Sequence, residues 1–296
     1  MIKLLFKVIF TNLKNKYLFF KYWRKNSKEI KNWFKLYLIT NSLILELAYK
    51  FKIFKNIIDR FPVKVKFNDG LIFYSPYDKF NELHIYIFMY SIYISDFLEH
   101  TGKILEFSKE DSVIDIGGHV GTFALFFKHF HPSKLYVYEA NINNYCLLKK
   151  NFEVNSIPKG EFKIENNAVF GENKVLNFSI GNTSTVGSIN EIGFYRKKRG
   201  TNTLVSVLAK TLDSVFEDNK INRCKLLKMD IEGSEYSVFE ATSDETFAKI
   251  DNMVIEVHPT FDKNPADLSV LLKLKGFNVI ERDYGNGCFD FFCIRD

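Results

Sequence analysis

Residues 113–127, Val-Ile-Asp-Ile-Gly-Gly-His-Val-Gly-Thr-Phe-Ala-Leu-Phe-Phe, constrain this chain more than any other stretch. Val113, Ile114, Asp115 and Ile116 have the composition of a buried strand, Gly117, Gly118 and Gly121 break it, and an apolar run over residues 123–130 follows at once. The pattern reads as strand, tight loop, helix. Glycines let the backbone come close to a ligand, the helix start offers unpaired N–H groups, and Asp115 lies at the carboxyl end of the strand. Such a loop suits a nucleoside-bearing cofactor. It is not the dinucleotide fingerprint G-x-G-x-x-G, which from Gly117 needs glycine where the chain has His119 and Thr122.

The spacing that does fit, Asp115-x-Gly117-x-x-x-Gly121, resembles the S-adenosylmethionine loop of class I methyltransferases. A second strand, Lys134-Leu-Tyr-Val-Tyr, ends at Glu139, about 20 residues after the loop, where an acid can accept hydrogen bonds from both ribose hydroxyls. Residues 142–154 read as a helix with Asn141 as N-cap, and residues 162–169 as a third strand whose end, at Ala168 and Val169, should lie near the adenine.

Two further strand ends carry acids. In Lys225-Leu-Leu-Lys-Met-Asp-Ile-Glu-Gly-Ser-Glu235 a buried strand delivers Asp230 to its carboxyl end, with Glu232 and Glu235 following into a helix start. Three acids in six residues repel unless they meet a cation, helix-start N–H groups or substrate hydroxyls, and one of Glu232 and Glu235 can be a simple helix cap. In Met253-Val-Ile-Glu-Val-His-Pro259 the residues Glu256 and His258 alternate with Val257 and so face the same way. A histidine beside acids can take a proton from a hydroxyl near neutral pH, although a lone histidine is as readily structural. Residues 268–275 then read as a helix, and residues 277–282 and 289–294 as an antiparallel hairpin.

The remainder of the chain sets boundaries. Residues 1–60 form a basic, aromatic, helical appendage and residues 61–296 the main domain, opened by a β-hairpin over residues 61–77 and a mostly helical stretch over residues 80–107. Up to Pro62 there are fourteen Lys and Arg against three acids, a local net of +11 that leaves about −5 for the rest. This appendage suits an anionic membrane surface, or caps the domain with its lysines in solvent. It holds neither a run of roughly 20 apolar residues nor a signal-peptide pattern. The four scattered cysteines (Cys146, Cys224, Cys288, Cys293) have no metal or redox spacing and read as reduced cytosolic thiols. The basic run from Arg196 to Arg199 reads as a solvated loop or a contact for an acidic substrate.

Taken together, Val113-Ile-Asp-Ile-Gly with Gly121, Glu139, Thr211-Leu-Asp213, Lys228-Met-Asp-Ile-Glu-Gly-Ser-Glu235 and Glu256-Val-His258 resemble the FkbM family of S-adenosylmethionine-dependent methyltransferases over residues 85–295. The resemblance implies an α/β class I methyltransferase (Rossmann-like) fold: a seven-stranded, mainly parallel sheet with an antiparallel last strand and helices on both faces. It also implies S-adenosylmethionine held by Asp115, Gly117, Gly118, His119, Gly121 and Thr122 at the methionine end, Glu139 and Ala140 at the ribose, and Ala168 and Val169 at the adenine. Asp230 and His258 become candidate bases, and Glu232, Glu235 and Glu256 would position a hydroxyl acceptor, a sugar of a glycan or a related metabolite, with a divalent ion there as the lesser alternative and no metal ligand assigned. Two positions depart from the family pattern: Gly118-His119 stands where Ala-Asn is frequent, and Ala140 where proline is common. The rival readings are a nucleic-acid methyltransferase, which acidic Asp230-Ile-Glu-Gly disfavours, and a membrane-associated adaptor that keeps the fold without the chemistry.

Overall fold

The computed structural model describes residues 63–66, 71–75, 92–180, 187–189, 203–283 and 287–295. The appendage over residues 1–60, the helical reading of residues 80–91 and the basic run at Arg196 lie outside the described residues. Strands β1 (Val63–Lys66) and β2 (Ile72–Ser75) pair in a sheet of their own, in line with the hairpin expected there. Lys64–Phe73 belongs to one compact unit, and the unit from Tyr74 onward holds all that follows.

A π-helical turn, Ile92–Asp96, and a short helix α1 (Phe97–Thr101) end at Gly102 in the left-handed conformation, so the expected helix stops short of residue 107. Then come β3 (Ser112–Ile116), α2 (Thr122–Phe130), β4 (Lys134–Tyr138), α3 (Ile142–Val154) and β5 (Phe162–Glu165). After an insertion the order resumes with α4 (Leu212–Asp218), β10 (Cys224–Asp230), α5 (Glu235–Ala241), α6 (Asp244–Ala248), β11 (Asn252–Val257), α7 (Pro265–Leu274), β12 (Asn278–Asp283) and β13 (Phe289–Ile294).

The seven strands lie in the order β5-β4-β3-β10-β11-β13-β12. All neighbours run parallel except β13, which is antiparallel to both β11 and β12. This is the sheet of a class I methyltransferase. β3, next to the central strand β10, has all five residues buried: both its faces are covered, which is why apolar residues occupy both sides of the strand. The chain builds outward from β3 to β5 and then returns to β10 on the other side. The order therefore reverses between β3 and β10, and open α/β sheets bind ligands in the crevice at that switch point.

Local chemistry fixes the ends. Asn141 caps α3 by accepting from Asn143 N, and Thr211 caps α4 by accepting from Ser214 N. Helix α7 starts earlier than residue 268 because Asn264 and Asp267 form a capping box with Pro265 at the first position. The single strand expected over residues 162–169 is two. Asn166 turns its side chain onto the carbonyls of Glu139 and Ala140 and Asn167 onto that of Leu208, which breaks the ladder and sends β6 (Ala168–Val169) to a second sheet. That sheet, β6-β9-β7-β8, adds β7 (Val175–Ile180), β8 (Gly187–Ile189) and β9 (Thr203–Lys210) around a small core of Phe170, Leu176, Phe178 and Val207.

Candidate active site

The loop after β3 is held by backbone hydrogen bonds. Gly117 N and Gly118 N both donate to Tyr138 O, at 2.9 and 3.0 Å. Gly117 has φ +79°, and a Cβ there would stand 1.8 Å from the Asp230 carbonyl oxygen. A Cβ on Gly118 would meet Val137 Cγ1 at 2.3 Å, and Gly121 (φ +87°) lies on Leu148. The glycine at 117 is thus required by the end of β10, independently of any ligand. His119 takes φ +50°, and its N–H donates to Glu139 Oε2 at 2.7 Å, while Asn141 N donates to Oε1 at 2.8 Å. Burial pushes Glu139 up to about 7 against the pull of these two N–H groups.

Asp115 is fully buried. Burial raises its pKa and Lys228, whose Nζ is 3.1 Å from Oδ1, lowers it in part. The contact is an ion pair without hydrogen-bond alignment, and neither carboxylate oxygen accepts a hydrogen bond from the described residues. Thr122 Oγ1 is likewise buried without a partner. Lys228 Nζ donates to Gly117 O at 2.9 Å. Burial works against its charge, but Asp115, with Asp230 and Glu256, outweighs it and keeps the ammonium protonated.

On the other side of the switch point the site is built from side chains. Asp230 and Glu256 are register partners on β10 and β11. Between the strand and α5 the chain turns through Glu232 (φ +56°) and Gly233 (φ +106°), and fully buried Glu235 reaches back so that its Oε1 accepts from Ile231 N at 3.2 Å and Gly233 N at 3.3 Å. The same oxygen lies 3.2 Å from His258 Nδ1, so Glu235 is both the loop clasp and the partner that orients His258. His258 Nε2 lies 3.5 Å from Glu256 Oε1 and 3.8 Å from Glu232 Oε2. Burial alone would neutralise this histidine, yet hydrogen bonds to Glu235 and Glu256 raise its pKa well above the usual value. The shift favours the imidazolium form. For Glu256 burial is again opposed, chiefly by the His258 hydrogen bond and charge, and the balance leaves it below the usual carboxylate range. Asp230 goes the other way: burial and the charge of Glu256 push it well up, and Lys228 and His258 only partly compensate. Ligand atoms of Asp230, Glu256 and His258 converge within 4.8 Å of one another.

A family model described as Methyltransferase FkbM domain matches residues 115–284, more than half of the chain and every strand end just described. The chain belongs to the FkbM methyltransferase family. Methyltransferase sdnD of Sordaria araneosa is 25% identical over 212 residues, 64% of this chain and 82% of its own length. Methyltransferase 1 of Beauveria bassiana strain ARSEF 2860 is 24% identical over 208 residues, 63% of this chain and 80% of its own. Among solved structures, methyltransferase FkbM from Methylobacillus flagellatus KT aligns at 15% identity with a TM-score of 0.44, covering 73% of this chain and 54% of that one.

This FkbM-family chain is therefore an enzyme, a methyltransferase that uses S-adenosylmethionine. Its own residues fit that cofactor at a point independent of family: buried Asp115 Oδ2 and Thr122 Oγ1 flank the glycine loop and lack hydrogen-bond partners among the described residues, as groups awaiting a polar ligand do. Of the residues expected from sequence, Asp115, Gly117, Gly118, His119, Gly121, Thr122, Glu139 and Ala140 gather at the ends of β3 and β4, and Asp230, Glu232, Glu235, Glu256 and His258 at the ends of β10 and β11. Ala168 and Val169 are buried in the second sheet; Ala140 packs against the Ala168 cluster, and Val169 joins the main core that holds Ile116 and Tyr138. Sequence reasoning assigned no role to Lys228 or Asn166; Tyr93, expected on a helical stretch that could wall the site, donates its hydroxyl to Glu256 Oε2 at 3.5 Å. Lys228 left a signal, since a lysine between Leu227 and Met229 in a doubly covered strand needs a buried partner. Among the described residues no helix is long and apolar enough to cross a membrane.

Proposed function

We propose that this methyltransferase is an O-methyltransferase whose acceptor is a hydroxyl of an uncharged, polyhydroxylated molecule, a sugar of a glycan or a related metabolite. Asp230 carries the reading. It stands at the end of β10 with its carbonyl against Gly117, its carboxylate is under the influence of burial and neighbouring charge rather than of any hydrogen bond, and its pKa is pushed up toward the range of an effective base. The cofactor, when bound, supplies an electrophilic methyl group, so the protein must align the acceptor and remove its proton. Asp230 takes that proton. Glu235 and Glu256 favour the charged form of His258, which in turn lowers the pKa of Glu256, leaving Glu256, with Glu232 beside it, to accept the acceptor's other hydroxyls.

On the cofactor side Asp115, Gly117, Gly118, His119, Gly121 and Thr122 surround the methionine end. Glu139, with Ala140 beside it, takes the ribose hydroxyls through lone pairs left after its two backbone contacts, and Ala168 and Val169 border the adenine. The carboxylates Asp230, Glu232 and Glu256 repel phosphates and other anions, which supports a neutral acceptor and disfavours a nucleic acid. The charge of residues 1–60 supports peripheral contact with an anionic membrane surface on the cytoplasmic face.

The test is calorimetric titration of S-adenosylmethionine and S-adenosylhomocysteine, followed by methyl transfer to a panel of neutral glycosides, amines, carboxylates and RNA. Transfer confined to hydroxyl acceptors and abolished in Asp230→Asn is the expected result. Transfer to RNA or to an amine, or an Asp230→Asn enzyme of undiminished rate, would overturn it.

A further inference from the structure

Lys228 is charged, buried and unused by the reaction as derived above. It lies at 4% exposure in the middle of β10, and its register partner on β3 is Asp115, so the two side chains leave the sheet on the same face. Its ammonium stands 3.1 Å from Asp115 Oδ1 and donates to the Gly117 carbonyl at 2.9 Å, with the Tyr93 ring centroid 5.5 Å away. Gly117 is thus pinned three ways: its N–H by Tyr138 O, its α-carbon by the Asp230 carbonyl and its own carbonyl by Lys228.

We propose that Lys228 is a positioning residue for the cofactor: it fixes the Gly117 hinge and holds the Asp115 carboxyl group beside it, so that Asp115 can receive the cationic amino group at the methionine end. The inference rests on the placement of the cofactor given above. A lone aspartate with no exposed surface gives up its charge, because transfer of a carboxylate from water into a protein interior is strongly unfavourable. An ammonium at 3.1 Å offsets part of that cost, while burial still leaves Asp115 above the usual carboxylate range. The other titratable groups around Lys228 are Glu139 after β4, Asp230 at the end of its own strand, Glu256 from β11 and Tyr93 from the helical turn, with His258 beyond Asp230. Lys228 also lowers the pKa of Glu139, Asp230 and Glu256, so the double variant with Asp115→Asn is what separates its action on Asp115 from its action on those groups.

The experiment is titration of S-adenosylhomocysteine into wild type, Lys228→Met, Lys228→Arg and the double variant Asp115→Asn/Lys228→Met between pH 6 and 9, with thermal unfolding alongside. Lys228→Met should bind about tenfold or more weakly than wild type, and Lys228→Arg should recover most of the affinity. The double variant buries no unpaired charge, so it carries the test if Lys228→Met fails to fold, and it should bind weakly at every pH. A Lys228→Met protein as tight as wild type, a Lys228→Arg protein no better than Lys228→Met, or a double variant as tight as wild type would overturn the assignment. Failure of wild type to bind at any pH would instead bring down the cofactor site itself, and this proposal with it.

Discussion

The two halves of the crevice are built from different materials. At the ends of β3 and β4 the chain uses backbone: the N–H groups of Gly117, Gly118, His119 and Asn141 are each given an acceptor, and the glycines make room for neighbouring atoms. At the ends of β10 and β11 it uses side chains, with carboxylates crowded around one imidazolium. Backbone construction is tolerant of charge and intolerant of volume, whereas side-chain construction has the opposite sensitivities. Substitutions should therefore fail in different ways on the two sides, the first by losing fold and cofactor together, the second by losing rate with the fold intact.

The sharpest test is Gly117→Ala. Its Cβ would stand 1.8 Å from Asp230 O, a backbone atom in the core of the sheet, and the residue would hold a left-handed φ of +79°. Strain and overpacking together should destabilise the protein by about 3 kcal/mol or more and abolish cofactor binding. Gly160→Ala, where a Cβ meets nothing within 4 Å, is the control and should leave the denaturation midpoint unchanged. A Gly117→Ala protein of wild-type stability would remove the steric account of the loop.

Asp230→Asn tests the other half. It keeps shape and removes the base, so the rate of transfer should fall by roughly 10²–10⁴ while the dissociation constant for S-adenosylmethionine changes less than about threefold. The dissociation constant is read by calorimetry and the rate by single-turnover transfer. A loss of cofactor affinity as large as the loss of rate would mean that the two halves are not separable.

How far these regions were legible in the sequence follows from the same contrast. The central strands, the glycine loop and the C-terminal hairpin were readable because continuous apolar runs and glycine breaks are local signals. The break inside residues 162–169 was not, because it depends on Asn166 and Asn167 finding carbonyls at Glu139, Ala140 and Leu208, up to 41 residues away. The acids at three strand ends could be named in advance, but their charge states could not. His258 is charged because carboxylates from the β10–α5 turn, from α5 and from β11 meet around it, and Asp230 and Glu256 separate because only one of them bonds the histidine. The start of α7 was written in Asn264, Pro265 and Asp267 and simply outweighed by the later apolar run.

A smaller effect joins the halves through pH. Glu139 is raised to about 7 in the folded protein, so between its unfolded value near 4.5 and 7 the folded state holds the extra proton. Stability from this group is therefore full at low pH and falls as pH rises through that window, by about 3 kcal/mol at most. Affinity for the cofactor should move the opposite way, rising through pH 7 as the carboxylate becomes a better acceptor for ribose hydroxyls. Urea denaturation and calorimetry at pH 5.5 and 8 measure both. Glu139→Gln should flatten both slopes while lowering the baseline, since an amide nitrogen cannot accept from His119 or Asn141.

The smallest effect is expected from chelation. Asp230, Glu256 and His258 converge closely enough to invite a divalent ion. His258, however, already carries a proton, with Glu235 on Nδ1 and Glu256 and Glu232 around Nε2, so the positive charge an ion would bring is present as an imidazolium. An ion would have to displace that proton and then compete with an ammonium, Lys228, whose charge also acts on Asp230 and Glu256. Activity after exhaustive dialysis against EDTA should remain within about twofold of the untreated enzyme, because the charge balance of the cluster needs no metal. A tenfold loss restored by magnesium or manganese would show that the proton on His258 is a placeholder, and that the side-chain half of the crevice works by ligation rather than by acid–base chemistry.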